Sequence, residues 1–290
     1  MTLTRRRFLT ISAAFAGMPS IAQAESWQGY AFGAEVSLTI RGPRQVTVPA
    51  LAGARALLRE VERRFSLYDP DSDLSRLNAT GRLALGPGFH ALLQAADHAH
   101  RITGGLFDPT VQPLWLALAD GRDPGDALRA VGWNRVRFDL ARVALDRGQA
   151  LTFNGIAQGY ATDLITESLA ARGLTDLLVN IGEYRGIGGP WRLGLSDPVH
   201  GHLGTRTLTG GAIATSSPAA MSLGRHGHIL HPAARPQWST VAVEAPNAML
   251  ADSLSTAMTL APRDQIEAIL KAQDGLRVTL VDFDGNLTTL

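Results

Sequence analysis

The chain contains no cysteine, and this absence excludes several kinds of chemistry. Without thiols the protein has no disulfide, no thiolate metal site, no cysteine nucleophile and no lipid anchor on an N-terminal cysteine. Aromatic residues are few, at 6%, and the net charge is only +1. Aromatic and basic residues are not interleaved as they are in proteins that bind single-stranded nucleic acid. We therefore expect no nucleic-acid partner.

What the chain does have is enough apolar sequence for a sizeable core. Of its 290 residues, 45% are apolar and 18% are charged. This balance is typical of globular proteins. No internal repeat and no long polar linker divides the sequence.

The first residues predict a signal peptide. Arg5 and Arg6 precede an apolar stretch that runs to Ile21, and residues 22–24 end it with the small-x-small pattern of a signal-peptidase site. The apolar stretch is too short for a stable membrane anchor. We expect residues 1–24 to be a twin-arginine signal peptide and residues 25–290 to be a soluble periplasmic domain. The alternative is a basic N-terminus with an incidental apolar run.

Strands and helices are interspersed without strict β-α alternation, which predicts an α+β fold. We expect a single mature domain of mixed or antiparallel sheets with packed helices. Period-2 alternation predicts a strand at 35–40, and short runs between 133 and 153 predict antiparallel strands. We expect a glycine-rich loop at 182–189. Apolar spacing and turn residues predict the remaining elements: helices at 51–65, 89–100, 160–172, 250–260 and 265–272, strands at 177–181, 192–195, 212–215 and 240–243, and a hairpin at 276–290.

An apolar run at 151–153 leads through Gly155 and Gly159 into the helix that the spacing predicts at 160–172. Glycines at such a turn let the backbone approach a ligand at a helix N-terminus. The same pattern also occurs where two elements simply pack closely. Both interpretations remain open from these residues alone.

Oxygen-bearing residues supply the other candidates. Asp252 and Thr256 lie at i and i+4 of a predicted helix, so they share one face, and hard oxygen donors suit Mg²⁺. The alternative is that Asp252 complements a helix N-terminus and Thr256 is a small packing residue.

Four further residues each have two interpretations. His228 is either a general base or a core histidine. His231 lies near His226 in sequence, which allows a metal cluster as one interpretation, but the spacing of the two matches no familiar zinc site. Tyr68 either stacks on a planar ring or caps the core. Asp108 either accepts a hydrogen bond from an adenine or ribose or forms an Asx-turn.

Five short motifs occur together in the order and spacing of one known family. They are Phe-Asp-Pro-Thr-Val at 107–111, Asn-Gly-Ile-Ala-Gln-Gly-Tyr-Ala at 154–161, Ala-Thr-Ser at 214–216, Gly-His-Ile-Leu-x-Pro at 227–232 and Ala-Asp-x-x-x-Thr at 251–256. On these motifs the chain resembles the ApbE family of FAD:protein FMN transferases over nearly all of the mature domain.

The resemblance implies roles for particular residues. It implies a Mg²⁺ site made by the backbone carbonyl of Gly155 with Asp252 and Thr256. It implies catalytic roles for His228 and Asp252. Contacts with FAD are implied for Phe32, Tyr68, Leu106, Phe107, Asp108, Thr152 and Gln158.

The chain departs from the family pattern at four places. Thr152 replaces an acidic residue, Gln158 replaces a lysine, and His231 replaces the aspartate of the histidine motif. Residues 182–184 read Gly-Glu-Tyr where the family has Gly-Gly-Asp. Loss of the lysine removes a charge that faces phosphate, which affects FAD affinity or turnover more than the fold.

The resemblance implies Mg²⁺-dependent transfer of FMN from FAD to a Thr or Ser hydroxyl of a partner flavoprotein, with release of AMP. The implied acceptor is a membrane-bound or exported flavoprotein, and the Gly-Glu-Tyr variant is similar to the branch of the family that serves nitrous-oxide respiration. Two alternatives remain: an FAD pyrophosphatase, in which water attacks, and a non-catalytic flavin-binding or maturation factor in the periplasm.

The signal-peptide prediction is testable by the double change Arg5→Lys and Arg6→Lys. We expect the altered protein to stay in the cytoplasm with its first residues uncleaved, because the twin-arginine route requires the arginine pair. Fractionation and mass spectrometry of the N-terminus, beside the wild type, measure both properties. Processed double-variant protein in the exported fraction would contradict the prediction.

Overall fold

The computed structural model describes residues 24–224 and 226–290. The predicted signal peptide, apart from Ala24, lies outside the described residues and stays a prediction. Among the residues that are described, no helix has both the length and the apolar character needed to cross a bilayer.

The described residues form strands in the following chain order: β1 (Ala24–Ala31), β2 (Ala34–Arg41), β3 (Arg82–Ala84), β4 (Arg137–Phe138), β5 (Arg142–Ala144), β6 (Leu177–Asn180), β7 (Tyr184–Ile187), β8 (Trp191–Asp197), β9 (Gly201–Leu208), β10 (Gly211–Ser216), β11 (Ser222–Leu223), β12 (His226–Gly227), β13 (Thr240–Ala245), β14 (Arg277–Val281) and β15 (Leu287–Thr289).

The α-helices are α1 (Arg44–Phe65), α2 (Asp73–Thr80), α3 (Pro87–Ile102), α4 (Gln112–Ala119), α5 (Gly125–Ala130), α6 (Ala157–Ala170), α7 (Ala248–Met258) and α8 (Arg263–Ala272). Short 3-10 helices are present at Pro109–Val111, Trp133–Arg135 and Pro218–Ala220.

Eight strands form one main sheet in the order β1-β2-β6-β7-β10-β13-β14-β15. Every neighbouring pair in this sheet is antiparallel. The remaining strands form small antiparallel sheets, β3-β5-β4, β8-β9 and β11-β12. The predicted α+β fold of antiparallel sheets with packed helices is confirmed.

The centre of the main sheet is covered on both faces. In β6, Leu177 and Val179 join the core beneath the helices, whereas Leu178 packs with Trp191 and Leu208 of the β8-β9 hairpin. Successive side chains of a strand point to opposite faces, so a strand covered on both faces is apolar throughout. This is why residues 177–179 are all apolar.

Helices α6 and α7 cap each other's N-termini. The Asp163 carboxylate of α6 accepts hydrogen bonds from the N–H groups of Ala248 and Met249, both at 2.8 Å, in the first turn of α7. In return, Asp252 Oδ2 of α7 accepts from the N–H of Gly159, at 3.0 Å, in the first turn of α6. The first N–H groups of a helix have no partner within it, so each carboxylate satisfies donors that would otherwise be unpaired.

Gly159 lets the two helices approach closely enough for this exchange. A Cβ atom at this position would lie 2.5 Å from the carbonyl oxygen of Ala248 and 2.7 Å from the Cα of Met249. Both distances are well inside van der Waals contact with rigid backbone. For Gly159 the packing interpretation is therefore correct.

The predicted glycine-rich loop at 182–189 is wrong in part, because Tyr184–Ile187 is strand β7. It lies between β6 and β10 in the main sheet. A glycine such as Gly186 is uncommon inside a strand, so it weakens the prediction of a strand here. Its lack of a side chain makes room for Trp191, because a Cβ atom at position 186 would lie only 2.9 Å from Trp191 Cδ1.

Eight strands and α-helices were also absent from the prediction: β1, β3, β9, β11, β12 and the short helices α2, α4 and α5. Helix α2 carried a readable signal, since the Ser72 hydroxyl accepts from the N–H of Ser75 at its start and Gly81 ends it with φ 72°. The other predicted helices and strands, including the C-terminal hairpin, are present within a few residues of their predicted bounds, except that α1 begins at Arg44, seven residues before its predicted start at residue 51.

Gly159→Ala tests the close approach of α6 and α7. The added methyl group meets backbone, so we expect a loss of about 1–3 kcal/mol in the free energy of unfolding. Gly53→Ala in α1 is the matched control, because its Cβ would meet only the flexible end of Arg172, at 3.1 Å. There we expect no loss, or a gain of about 0.5–1 kcal/mol. Chemical denaturation of both variants measures this, and equal stabilities would contradict the packing role.

Candidate functional site

One pocket collects most of the residues that the sequence singled out. It opens where the N-terminus of α6, the end of β10 and one face of α7 meet the loop before the 3-10 helix Pro109–Val111. The predicted site residues that line it are Leu106, Phe107, Asp108, Thr152, Gly155, Gln158, His228, Asp252 and Thr256. Residues far apart in sequence thus share one cavity.

Phe32 and Tyr68 do not line this pocket. Phe32 and Gly33 form the tight turn between β1 and β2, with φ values of 51° and 79°, and the Phe32 N–H donates to Glu62 Oε1 at 2.8 Å. Tyr68 is 78% exposed in the loop after α1. Their contacts with a flavin stay predictions.

Asp252 lies at the bottom of the pocket and is only 3% exposed. Burial raises the pKa of its carboxyl to about 7, the charge of Asp163 adds to the shift, and the hydrogen bond from Gly159 opposes it. Asp252 therefore does complement a helix N-terminus, but the helix is α6 rather than its own. Its position on the pocket wall leaves the ligand interpretation open as well.

Gly155 and Thr256 are in direct proximity. A Cβ at Gly155 would lie 2.8 Å from Thr256 Oγ1 and 3.3 Å from the ring of Phe107, so only glycine fits between them. Thr256 Oγ1 is 3.3 Å from Ser216 Oγ, which is 2.8 Å from Ser255 Oγ. The turn, α7 and β10 thus bring several oxygen atoms to one side of the pocket.

Glu183 is a pocket residue that the sequence did not single out as a ligand. It is 7% exposed, lines the pocket, and accepts a hydrogen bond through Oε2 from the Thr215 N–H at 3.1 Å. Burial raises the pKa of Glu183 well above its ordinary value, and the charge of Asp252 raises it further. The available signal was an acidic residue directly after a buried strand and a glycine.

Thr215 also has a hydroxyl without a partner. Its Oγ1 is buried on the pocket wall and makes no hydrogen bond within the described part of the chain. Buried hydroxyl groups are normally hydrogen-bonded, and an orphan in a cavity indicates a site for a ligand or water.

Asp108 has a structural role. Its Oδ1 accepts from the Thr110 N–H at 2.8 Å and from Thr110 Oγ1 at 2.5 Å, and its Oδ2 accepts from the Trp133 N–H at 3.1 Å. The Asx-turn interpretation is confirmed. Because Asp108 also lines the pocket, a contact with a nucleotide is compatible with this role and stays a prediction.

His228 lies on the pocket wall, where burial favours the neutral form of its imidazole. Burial lowers the pKa of His228, and hydrogen bonding to the backbone of Pro218 and Met221 opposes the shift. A neutral imidazole can accept a proton, which a general base requires.

His231 explains how the chain accommodates one departure from the family pattern. Its Nδ1 accepts from the N–H groups of Ala233, at 3.2 Å, and Ala234, at 3.0 Å, as an aspartate oxygen does in an Asx-turn. The ring also hydrogen-bonds the backbone of Gly105. His226 is exposed on β12, and the described residues contain no cluster of three or more metal-binding side chains that would include these histidines.

Comparison with known proteins agrees with this arrangement. A sequence model of the ApbE family matches residues 32–280, which is most of the chain. The chain belongs to the ApbE family. All of the residues that line the pocket or take part in the mutual capping of α6 and α7 fall within this range, so the family match covers the whole candidate site.

Relatives of this ApbE-family chain include proteins named FAD:protein FMN transferase. The one from Rhodobacter capsulatus is 29% identical over 299 aligned positions, covering 89% of this chain and 55% of the relative. The one from Haemophilus influenzae is 24% identical, covering 81% of this chain and 79% of the relative. The chain thus spans about half the length of the first of these relatives.

Solved structures share the fold. The flavin transferase ApbE from Vibrio cholerae superposes with a TM-score of 0.79 at 22% identity, covering 92% of this chain and 97% of that one. The apo flavinyl transferase ApbE from Pseudomonas stutzeri gives a TM-score of 0.79 at 25% identity, covering 93% and 94% of the two chains.

The state of His231 predicts a pH dependence of stability. Burial lowers the pKa of His231 in the folded protein, while the charge of Asp108 and the Gly105 backbone oppose the shift and His100 and Arg235 add to it. A depressed folded pKa gives stability that is present above the unfolded pKa, near 6.5, and is lost as the pH falls below it.

We therefore expect the melting temperature of the wild type to fall between pH 7.5 and 5.5, and His231→Asn to reduce the slope. The substituted amide oxygen still accepts from the backbone but does not titrate. His226→Asn, an exposed change in the same segment, is the control and should follow the wild-type curve. Equal slopes in all three proteins would contradict the assigned role of His231.

Proposed function

We propose that this protein transfers FMN from FAD to a Thr or Ser hydroxyl of a partner flavoprotein. The observation that supports this most is one pocket lined by nine of the residues for which the family resemblance implies a role. The relatives named FAD:protein FMN transferase support the same activity. Because the chain spans 55% of the Rhodobacter capsulatus relative, the activity is a proposal for this chain.

Mg²⁺ fits the donor set of the pocket. The Gly155 carbonyl, the Asp252 carboxylate and the Thr256 hydroxyl are hard oxygen donors, and the close approach of Gly155 to Thr256 brings two of them together. The buried Thr215 hydroxyl has no partner among the described residues, which fits an additional polar ligand. A bound Mg²⁺ would supply positive charge against the pyrophosphate as its oxygens gain charge.

The N-terminus of α6 would hold the phosphate groups. The helix dipole favours an anion there, whereas the N–H groups of Ala157, Gly159 and Tyr160 already donate to Phe153, Asp252 and Ile156. Gln158 lies at the second position of the helix on the pocket wall. Gln158 packs against Gly182, which has no side chain to displace it. It would donate hydrogen bonds without the charge of the family's lysine.

His228 would act as the base. In the proposed step the acceptor hydroxyl loses its proton to the neutral imidazole, its oxygen bonds to the phosphorus on the FMN side, and the bond to AMP breaks. A hydroxyl is a weak nucleophile near neutral pH, so a base in reach of it is required. The burial that keeps His228 neutral keeps it ready to accept that proton.

We place the reaction in the periplasm, after export by the twin-arginine route, on the basis of residues 1–24. The acceptor would then be a membrane-bound or exported flavoprotein, and an electron-transfer protein or regulator of nitrous-oxide respiration is the specific candidate. The absence of cysteine removes any lipid anchor of the N-terminal cysteine type.

The experiment that tests the activity combines the protein with FAD, Mg²⁺ and a candidate acceptor, followed by mass spectrometry of the acceptor and of the small molecules. We expect the acceptor to gain the mass of FMN and AMP to appear. Free FMN and AMP with an unchanged acceptor would instead identify a pyrophosphatase. Intact FAD and an unchanged acceptor would identify a flavin-binding factor.

Asp252→Asn tests the cation site within the same assay. The substituted side chain keeps an oxygen for the Gly159 N–H, so we expect little loss of thermal stability, but removal of the charge should lower Mg²⁺-dependent turnover about 100-fold.

Asp163→Asn is the matched control for that variant. Asp163 caps the other helix of the same pair and does not line the pocket. We expect it to lower the melting temperature and to leave the Mg²⁺ concentration for half-maximal turnover unchanged. If Asp252→Asn shows the same turnover and the same Mg²⁺ concentration for half-maximal turnover as the wild type, Asp252 is not a ligand of the cation.

A further inference from the structure

Glu183 has a fixed position on the pocket wall. It lies in the turn between β6 and β7, just before Tyr184, which pairs with Asn180. Its backbone carbonyl accepts from Thr162 Oγ1 of α6 at 3.3 Å, and its carboxylate accepts from the N–H of Thr215 in β10. Contacts to two neighbouring elements hold the side chain in place with only 7% of the residue exposed.

The two buried carboxylates of the pocket have no positive partner among the described residues. Within residues 24–224 and 226–290, no ion pair to Glu183 or Asp252 is present, and the chain's one lysine, Lys271, lies on α8. By contrast, buried Asp163 outside the pocket pairs with Arg185 at 2.7 Å. Ionising a buried acid that has no partner is costly, and a bound cation offsets that cost, so two such acids in one cavity form a site suited to a cation.

The hydroxyl groups around the carboxylates fit a hard cation or its water ligands. Thr215 Oγ1 is buried without a partner in the described chain, and Thr256 and Ser216 present their hydroxyl oxygens nearby. Mg²⁺ binds such oxygen donors and usually keeps several water molecules, which hydroxyl and carboxylate groups hold in place.

We propose that Glu183 is a second carboxylate of the cation site, acting with Asp252 so that two buried negative charges bind one divalent cation. This inference rests on the cation site of the proposed function and adds a residue that the family motifs do not assign. Its role is to bind or orient the cation, directly or through a water ligand.

Glu183→Gln separates this role from a purely structural one. The amide oxygen still accepts from the Thr215 N–H, so the structural contact is kept while the charge is lost. The probe is MgCl₂ alone, without FAD, measured by calorimetry and by the shift of the melting temperature at pH 8. We expect a roughly 10–100-fold weaker affinity for Mg²⁺, in line with other changes to the surroundings of a bound metal. The metal-free variant should melt at or above the wild-type temperature, because an unfavourable buried acid has been removed.

Glu244→Gln is the matched control. Glu244 is a partly buried acid in β13 that pairs with Arg206 and Arg277 away from the pocket. It should bind Mg²⁺ as the wild type does.

The outcomes also separate this inference from the proposed function. If the wild type binds Mg²⁺ and Glu183→Gln binds it equally well, the role of Glu183 is overturned while the cation site stands. A lower melting temperature of metal-free Glu183→Gln with an unchanged Mg²⁺ affinity would identify a structural residue only. If the wild type binds no Mg²⁺, both the cation site and this inference fail. FMN transfer by the wild type is measured separately.

Discussion

The mutual capping of α6 and α7 is the interaction on which the candidate site depends. Each helix uses one buried aspartate to satisfy the free N–H groups at the start of the other, Asp163 in one direction and Asp252 in the other. The exchange is possible only because Gly159 lets the backbones touch. With the helices held this way, the turn at Gly155 contacts Thr256, and Gln158 in the first turn of α6 lines the pocket.

The two capping aspartates have the same structural task but different surroundings. Asp163 is balanced by Arg185, whereas Asp252 faces a cavity and a second buried acid, Glu183. A helix cap requires only an oxygen acceptor, so the fold itself does not need a negative charge at the pocket. The two unpaired acids are a property of the site rather than of the fold, and in the proposed function they would bind a cation.

Two departures from the family pattern, His231 and Gln158, are accommodated by contacts with neighbouring residues. His231 uses Nδ1 to accept the backbone hydrogen bonds that an aspartate oxygen would accept. Gln158 fits against Gly182, whose φ of 94° also favours glycine. Both side chains are held by local contacts, and this is how these two altered positions fit the fold. Gln158 differs from lysine in charge, so we expect its effect on FAD affinity or turnover rather than on the fold.

The sequence by itself determined the elements whose signals are local. Alternation in β2, helical spacing in α3 and α8 and the turn residues of the C-terminal hairpin depend on neighbours along the chain. The family resemblance located nine of the pocket residues. Strand β7 was missed because pairing with β6 and β10, and the space that Gly186 leaves for Trp191, come from residues distant in sequence. Tertiary structure alone decided that Gly159 packs while Gly155 borders the pocket, that Asp252 caps α6, and that Glu183 joins it. Capping across helices and burial of charge are long-range effects, which no local pattern records.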